Sequence, residues 1–140
     1  AGDGGHIEFE FKSVRNSDVN QTATAGVEQA LLRMARIGSY FIWLTKTPEG
    51  VWTVRRRLQR DDLPPALQVG IAAYTDYDSS ELAGVNRHNR EVLQDGHPDL
   101  RAQFNFVRFQ RPAIPISFSR ENLSDTVAVQ DRDLLHLLGD

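Results

Sequence analysis

Cysteine is absent from these 140 residues, so no disulfide, thiolate metal site or cysteine nucleophile can be built. That absence fixes no compartment, because secreted and cytosolic chains alike can do without the residue. Long apolar runs are also missing. No stretch approaches the roughly 20 residues that a helix needs to cross a bilayer, which argues against membrane insertion. Nor is there an excess of basic charge. The 16 Lys and Arg stand against 19 Asp and Glu, for a net charge of −3 and a pI of about 5.8. A duplex-binding domain carries a basic stripe and a high pI, so nucleic acid is not the expected partner. His6, His88, His97 and His136 are scattered without the H-x-x-H or H-x-x-x-H spacing of a zinc site. No serine sits in a G-x-S-x-G turn, and no Lys-Ser/Thr follows Gly2–Gly5 to make a phosphate loop.

What is present fits one globular domain. Hydrophobic residues make up 40% and charged residues 25%, too apolar for a disordered chain. The N-terminal Ala1–Gly5 has neither a basic n-region nor an apolar h-region, so no signal peptide is expected. The chain enters a strand pattern almost at once and without an initiator Met. It reads as a mature or excised piece of something longer.

Along the chain, period-two alternation dominates. Ile7, Phe9 and Phe11 fall on one side of a strand over His6–Val14, with Glu8, Glu10 and Lys12 on the other. Asn16–Asp18 and Asn20-Gln21 read as a polar loop. Thr24–Arg36 has good helix propensity at Glu28–Arg36, yet Leu32, Met34 and Ile37 fit a strand, and the neighbouring strands favour that choice. Ser39–Thr47 and Val51–Gln59 are rich in aromatic and β-branched residues. Joined by Pro48-Glu49-Gly50, they form a β-hairpin with Trp43 and Trp52 near its turn, where a cross-strand contact is expected. The run Arg55-Arg56-Arg57 with Arg60, followed by Asp61-Asp62, reads first as a solvated strand end and second as an anion or polysaccharide site. After the turn at Asp61–Pro65, strands are expected over Leu67–Tyr77 and Leu100–Gln110. The polar, Gly- and Asn-containing Ser79–Pro98 between them reads as a long loop. Asp131–Leu138 reads as an amphipathic helix, with acidic residues in its first turn and Gly139 at its C-cap. Five or six strands with turn punctuation imply a mainly β fold, an antiparallel β-sandwich with a short C-terminal helix. The expected division is a sandwich over residues 1–112 and a C-terminal extension over 113–140.

The text SYFIWLTKTPEGVWTVRRRLQRDDLPPALQVGIAAYTDY, residues 39–77, resembles the concanavalin A-like jelly-roll domains (lectin/glucanase, LamG-like) of bacterial extracellular proteins. The hairpin from Trp43 to Trp52, the Leu63–Thr75 stretch and the R-A-x-F-x-x-V-R-F strand at Arg101–Phe109 carry the likeness, which covers roughly residues 5–112. These motifs mark a sandwich and no fixed activity. The resemblance implies an extracellular or cell-surface setting and a carbohydrate or protein partner. Complete domains of this kind carry further strands ahead of the position of His6. Their absence here implies an open sheet edge that another chain or fragment can complete.

Three constellations are candidates for chemistry. Asp76, Asp78 and Glu81, with Ser79 and Ser80, can supply three of the six to eight oxygen ligands that Ca²⁺ takes; the plain alternative is a polar turn. Glu8 and Glu10 share a strand face, as the carboxylates of the laminarinase-like enzymes of this fold class do. Here, however, Phe9 stands between them and Lys12 follows, so a solvent face is the plainer reading and a glycosidase the lesser one. Trp43, Trp52, Tyr74 and Tyr77 are the candidate ligand-binding set, since sugars lay their C–H faces on flat rings. Aromatic residues of a hairpin also serve as core, and strand register decides between the two. The expected function is a non-catalytic carbohydrate-binding or adhesion module, with a protein-interaction domain as the alternative and a glycosidase-like enzyme as the second.

Overall fold

The computed structural model describes residues 8–16, 18–25, 28–71 and 102–139. The described chain is mainly strand, with one two-stranded sheet, one antiparallel three-stranded sheet and a single short helix near the C-terminus. It divides into two compact units, one of residues 1–26 and 69–107, the other of 27–68 and 108–140.

In the first unit, β1 (Glu8–Arg15) pairs antiparallel with β2 (Asp18–Ala25), in register from Glu8↔Ala25 to Arg15↔Asp18. The alternation expected for β1 holds: Phe11 is buried, Phe9 half-buried and Lys12 exposed. The expected polar loop over Asn16–Gln21 is a correction. The chain turns directly after Arg15, with Asn16 at φ 49°, in the left-handed region that Asn tolerates better than most residues. From Asp18 onward the backbone is strand. Val19, Thr22 and Thr24 are β-branched, and that preference outweighs the polarity of Asn20 and Gln21.

The second unit is built on β3 (Leu31–Ile37), β4 (Tyr40–Lys46) and β5 (Thr53–Gln59), hydrogen-bonded in that order. The helix propensity of 28–36 yields to ladder pairing, and Leu31–Ile37 runs antiparallel to β4 from Leu31↔Lys46 to Ile37↔Tyr40. The β3–β4 turn is Gly38-Ser39. Gly38 takes φ 60°, the positive value that the first central residue of a type II′ hairpin turn requires. The β4–β5 hairpin is as expected, but β5 begins at Thr53, and a β-bulge shifts the register. Trp43 faces Arg56 and Leu44 faces Val54, so Arg55 is the extra residue.

One face of this sheet carries the core. Ile42 and Leu44 are fully buried with Ala35 and Ile37 beside them. Against them lies the C-terminal segment, contributing Leu123, Val129, Leu134 and Leu138. The last two belong to α1 (Asp131–Leu138), which places Leu134 and Leu138 inward and exposes His136. The Gln130 N–H donates to Asp133 Oδ2 at 3.0 Å, which satisfies one of the end groups of α1.

Arginines tie this segment down. The Arg57 side chain is only 5% exposed, and its Nη1 donates to the carbonyls of Leu123 (3.1 Å) and Val129 (2.6 Å). Its Nη2 pairs with Asp131 at the start of α1. Arg33 donates to the Leu138 carbonyl at the other end of the helix. The Arg55–Arg57 run is therefore not a uniform solvated strand end, because its third member is internal.

Leu67–Ile71 and Ala102–Gln110 form no ladder among the described residues, unlike the strands expected there. Val69, Ile71, Phe104, Phe106 and Phe109 are all exposed. Alternating side chains make a segment competent to be a strand, but only a partner that satisfies its N–H and C=O groups makes it one. Residues 72–77 of the first expected strand, and the Ser79–Pro98 loop, lie outside the described residues.

Replacing Arg57 with Met should cost about 2–3 kcal/mol, because it strands two carbonyl acceptors that a charged donor now satisfies. Asp131→Asn should cost under about 1 kcal/mol, since that partner is half exposed. Urea unfolding of both variants would show the ranking, and equal losses would contradict the internal role of Arg57. Gly38→Ala should lose roughly 1–2 kcal/mol in the same assay from its left-handed backbone alone.

Candidate functional site

The face of the three-stranded sheet opposite the core is where the two tryptophans part company. Ile42 and Leu44 point into the core, so Trp43 between them projects from the other face. It stands opposite Met34 on β3 and Arg56 on β5. Its ring lies 6.2 Å from that of Phe41, tilted by 32°. Phe41 and Thr45 are buried beneath this face, whereas Trp43 stays half-buried and Met34 is 54% exposed.

The bulge decides which arginines join Trp43. In a regular strand neighbouring residues take opposite faces, whereas a bulge places two successive residues against one partner position. Arg56 stands across from Trp43, and the extra Arg55 donates through Nε to the Thr45 hydroxyl at 2.7 Å, on that same face. Both guanidiniums therefore flank Trp43, while Val54 returns to the core beside Leu44. At the β3 edge of the face, Arg36 lies over the Phe41 ring at 5.3 Å. It donates to the carbonyls of Gly38 (2.9 Å), Pro64 (2.8 Å) and Pro65 (3.1 Å).

Trp52 serves another purpose. It precedes β5, packs half-buried against the core cluster, and carries the Arg33 guanidinium 4.2 Å above its ring centroid. One face of the indole is thus covered by a cation, and the same Arg33 holds the end of α1. The expected cross-strand approach of Trp43 to Trp52 is replaced by Trp43 across from Arg56 and Trp52 under Arg33.

Tyr74, Tyr77, Asp76, Asp78 and Glu81 lie outside the described residues. Among the described residues no group of three His, Asp or Glu side chains could hold a metal ion. Glu8 and Glu10 stand two apart on β1, with Ala25 and Ala23 as their backbone partners. The sequence offered the Arg55–Arg57 run with Arg60 as an anion or polysaccharide site only in second place, and it did not put Arg33, Arg55 or Arg56 beside the tryptophans. The bulge that sets their phase has no residue signature of its own, although three consecutive arginines in a strand already require at least one to face inward.

Two further features lie away from this face. Arg60 is held by Asp62 through a 2.8 Å ion pair, and that hydrogen bond raises the guanidinium further above its already high pKa. An open groove of about 550 Å³ lies within the C-terminal segment, floored by Pro115, Phe118, Val129 and Leu137 and edged by Arg132 and His136. No helix among the described residues is long and apolar enough to cross a membrane. Comparison of the chain with protein-family models, curated proteins and solved structures finds no match.

A double-mutant cycle on Arg33→Ala and Trp52→Ala should give a coupling of about 0.5–1 kcal/mol in unfolding free energy, the range for a partly exposed cation–π pair. A coupling near zero would mean that the stacking contributes nothing and Trp52 matters only for its packing.

Proposed function

We propose that this chain is a non-catalytic module that binds carbohydrate, in glycan recognition or adhesion, within a larger secreted bacterial protein. In this reading its fold is the concanavalin A-like jelly roll that the sequence resembles. The observation that carries the proposal is Trp43, a half-buried ring on the sheet face turned away from the core, bordered by Arg55 and Arg56. A flat apolar ring beside hydrogen-bond donors suits a sugar, which has an apolar C–H face and a hydroxyl edge. Trp52 lies under Arg33 and belongs to the packing, so binding rests on Trp43. The proposal keeps Tyr74 and Tyr77 as further candidate rings and Asp76, Asp78 and Glu81 as candidate Ca²⁺ ligands, all five outside the described residues.

A second reading, a domain that assembles with another chain, has its own support. β3 and β5 are outer strands of the three-stranded sheet. Leu32 and Met34 on β3, and Phe104, Phe106 and Phe109 further on, are large apolar side chains left more than half exposed. Open edges and exposed apolar rows are the usual route to strand addition.

A glycan array probed in calcium and again in chelator, with Trp43→Ala and Trp52→Ala beside the unaltered chain, separates the two. Binding should fall by about tenfold or more in Trp43→Ala, roughly 1.4 kcal/mol of lost contact, and should weaken in chelator. Trp52→Ala should lower stability more than affinity. A blank array from a folded chain, together with concentration-dependent sedimentation, would transfer the case to the assembly reading.

A further inference from the structure

We propose that the outer edge of β3 is an interface with a second copy of this chain, in which two β3 strands pair antiparallel about a two-fold axis through Met34. The inference rests on the assembly reading above and supplies its partner, its strand and its register. β3 and β5 are the outer strands of the three-stranded sheet, but they are not equally protected. β5 carries a β-bulge and three consecutive arginines, two of the devices that keep an edge from recruiting another strand. β3, with the sequence LLRMARI, holds neither proline nor glycine, and its ladder with β4 runs without a register shift. Among the described residues no strand pairs with its outer edge.

The two charges of β3 do not guard it either. Arg33 lies over the Trp52 ring and donates to the Leu138 carbonyl. Arg36 lies over the Phe41 ring and donates to the carbonyls of Gly38, Pro64 and Pro65. Both are drawn back onto their own chain, and the edge shows apolar side chains instead. Leu31 is 37% exposed, Leu32 56% and Met34 54%. A two-fold axis normal to the sheet keeps matching faces on the same side, and pairing all seven residues puts that axis at the midpoint, Met34. Met34 then stands opposite the partner's Met34, Leu32 opposite the partner's Arg36, Arg33 opposite the partner's Ala35, and Leu31 opposite the partner's Ile37. No two arginines face one another. An axis through Arg33 would set like charges directly opposite, and one through Ala35 would leave Leu31 and Leu32 against the turn. A foreign strand supplies the same backbone bonds but has to bring its own match to this pattern. The identical strand already carries it.

The test uses the full 140-residue chain, whose lack of cysteine lets one introduced thiol report the register. Met34→Cys brings its two Cα atoms to about 4.5–5.5 Å across the axis, within reach of a disulfide. Leu32→Cys leaves its two thiols four residues apart along the paired strands, about 13 Å. Under mild oxidation Met34→Cys should form a covalent dimer, and Leu32→Cys should not. Sedimentation of the unaltered chain over a concentration series should show a monomer–dimer equilibrium. Met34→Lys should weaken that dimer by about tenfold or more. Val127→Lys, at an 85% exposed position of the C-terminal segment, should leave it unchanged. All three positions are more than half exposed, so the variants should fold, and each thermal midpoint checks that they do. A dimer that persists in Met34→Lys would overturn the β3 interface and leave the assembly reading standing through another surface. Equal cross-linking of the two thiols would overturn the register. A folded chain that stays monomeric at every concentration, with neither thiol cross-linking, would overturn both the inference and the assembly reading beneath it.

Discussion

Arg57 is the residue on which the second unit turns. Its guanidinium sits inside the molecule and donates to the carbonyls of Leu123 and Val129, while pairing with Asp131 at the head of α1. A buried cation is costly unless its donors are answered. Here Nη1 and Nη2 are answered by residues more than 60 positions away in sequence, while the buried Nε has no partner among the described residues. The C-terminal segment is therefore held by directional bonds as well as by the burial of Leu123, Val129, Leu134 and Leu138. Apolar contact alone would tolerate sliding. Donors aimed at two backbone carbonyls allow one placement, and with the segment so placed the core face of the sheet is closed.

Closing one face gives the other its character. With Ile42 and Leu44 committed to the core, alternation sends Phe41, Trp43 and Thr45 to the opposite side. The bulge at Arg55 then does two things with one extra residue. It returns Val54 to the core, and it sets two successive arginines on the Trp43 side while Arg57 goes inward. Without the bulge, Arg55 would stand opposite Leu44 and bring an unpaired cation to the apolar interior. The same irregularity thus protects the core and assembles the candidate binding face.

The exposed segments tell a complementary story. Leu67–Ile71 and Ala102–Gln110 have strand-like alternation, and their large side chains remain outside any ladder among the described residues. Their sequence encodes which side chains share a face. It does not encode a partner, and a strand is a property of a pair. The helix propensity of residues 28–36 illustrates the converse, since β4 as a neighbour makes Leu31–Ile37 a strand despite it.

Local chemistry made several elements legible from the sequence by itself. The alternation of β1, the β4–β5 hairpin, the mainly β character and the amphipathic Asp131–Leu138 helix with its acidic first turn all follow from residue type and period. So did the exclusion of disulfides and of a membrane-spanning helix, which needs only composition and run length. The division of labour between Trp43 and Trp52 was settled only in three dimensions, because it turns on whether a ring shares phase with Ile42 or opposes it. The fate of each arginine in the 55–57 run depended on a one-residue register shift and on where the C-terminal segment docks. Register and docking are set by the sum of many distant contacts, and a side chain read one residue at a time carries no record of them.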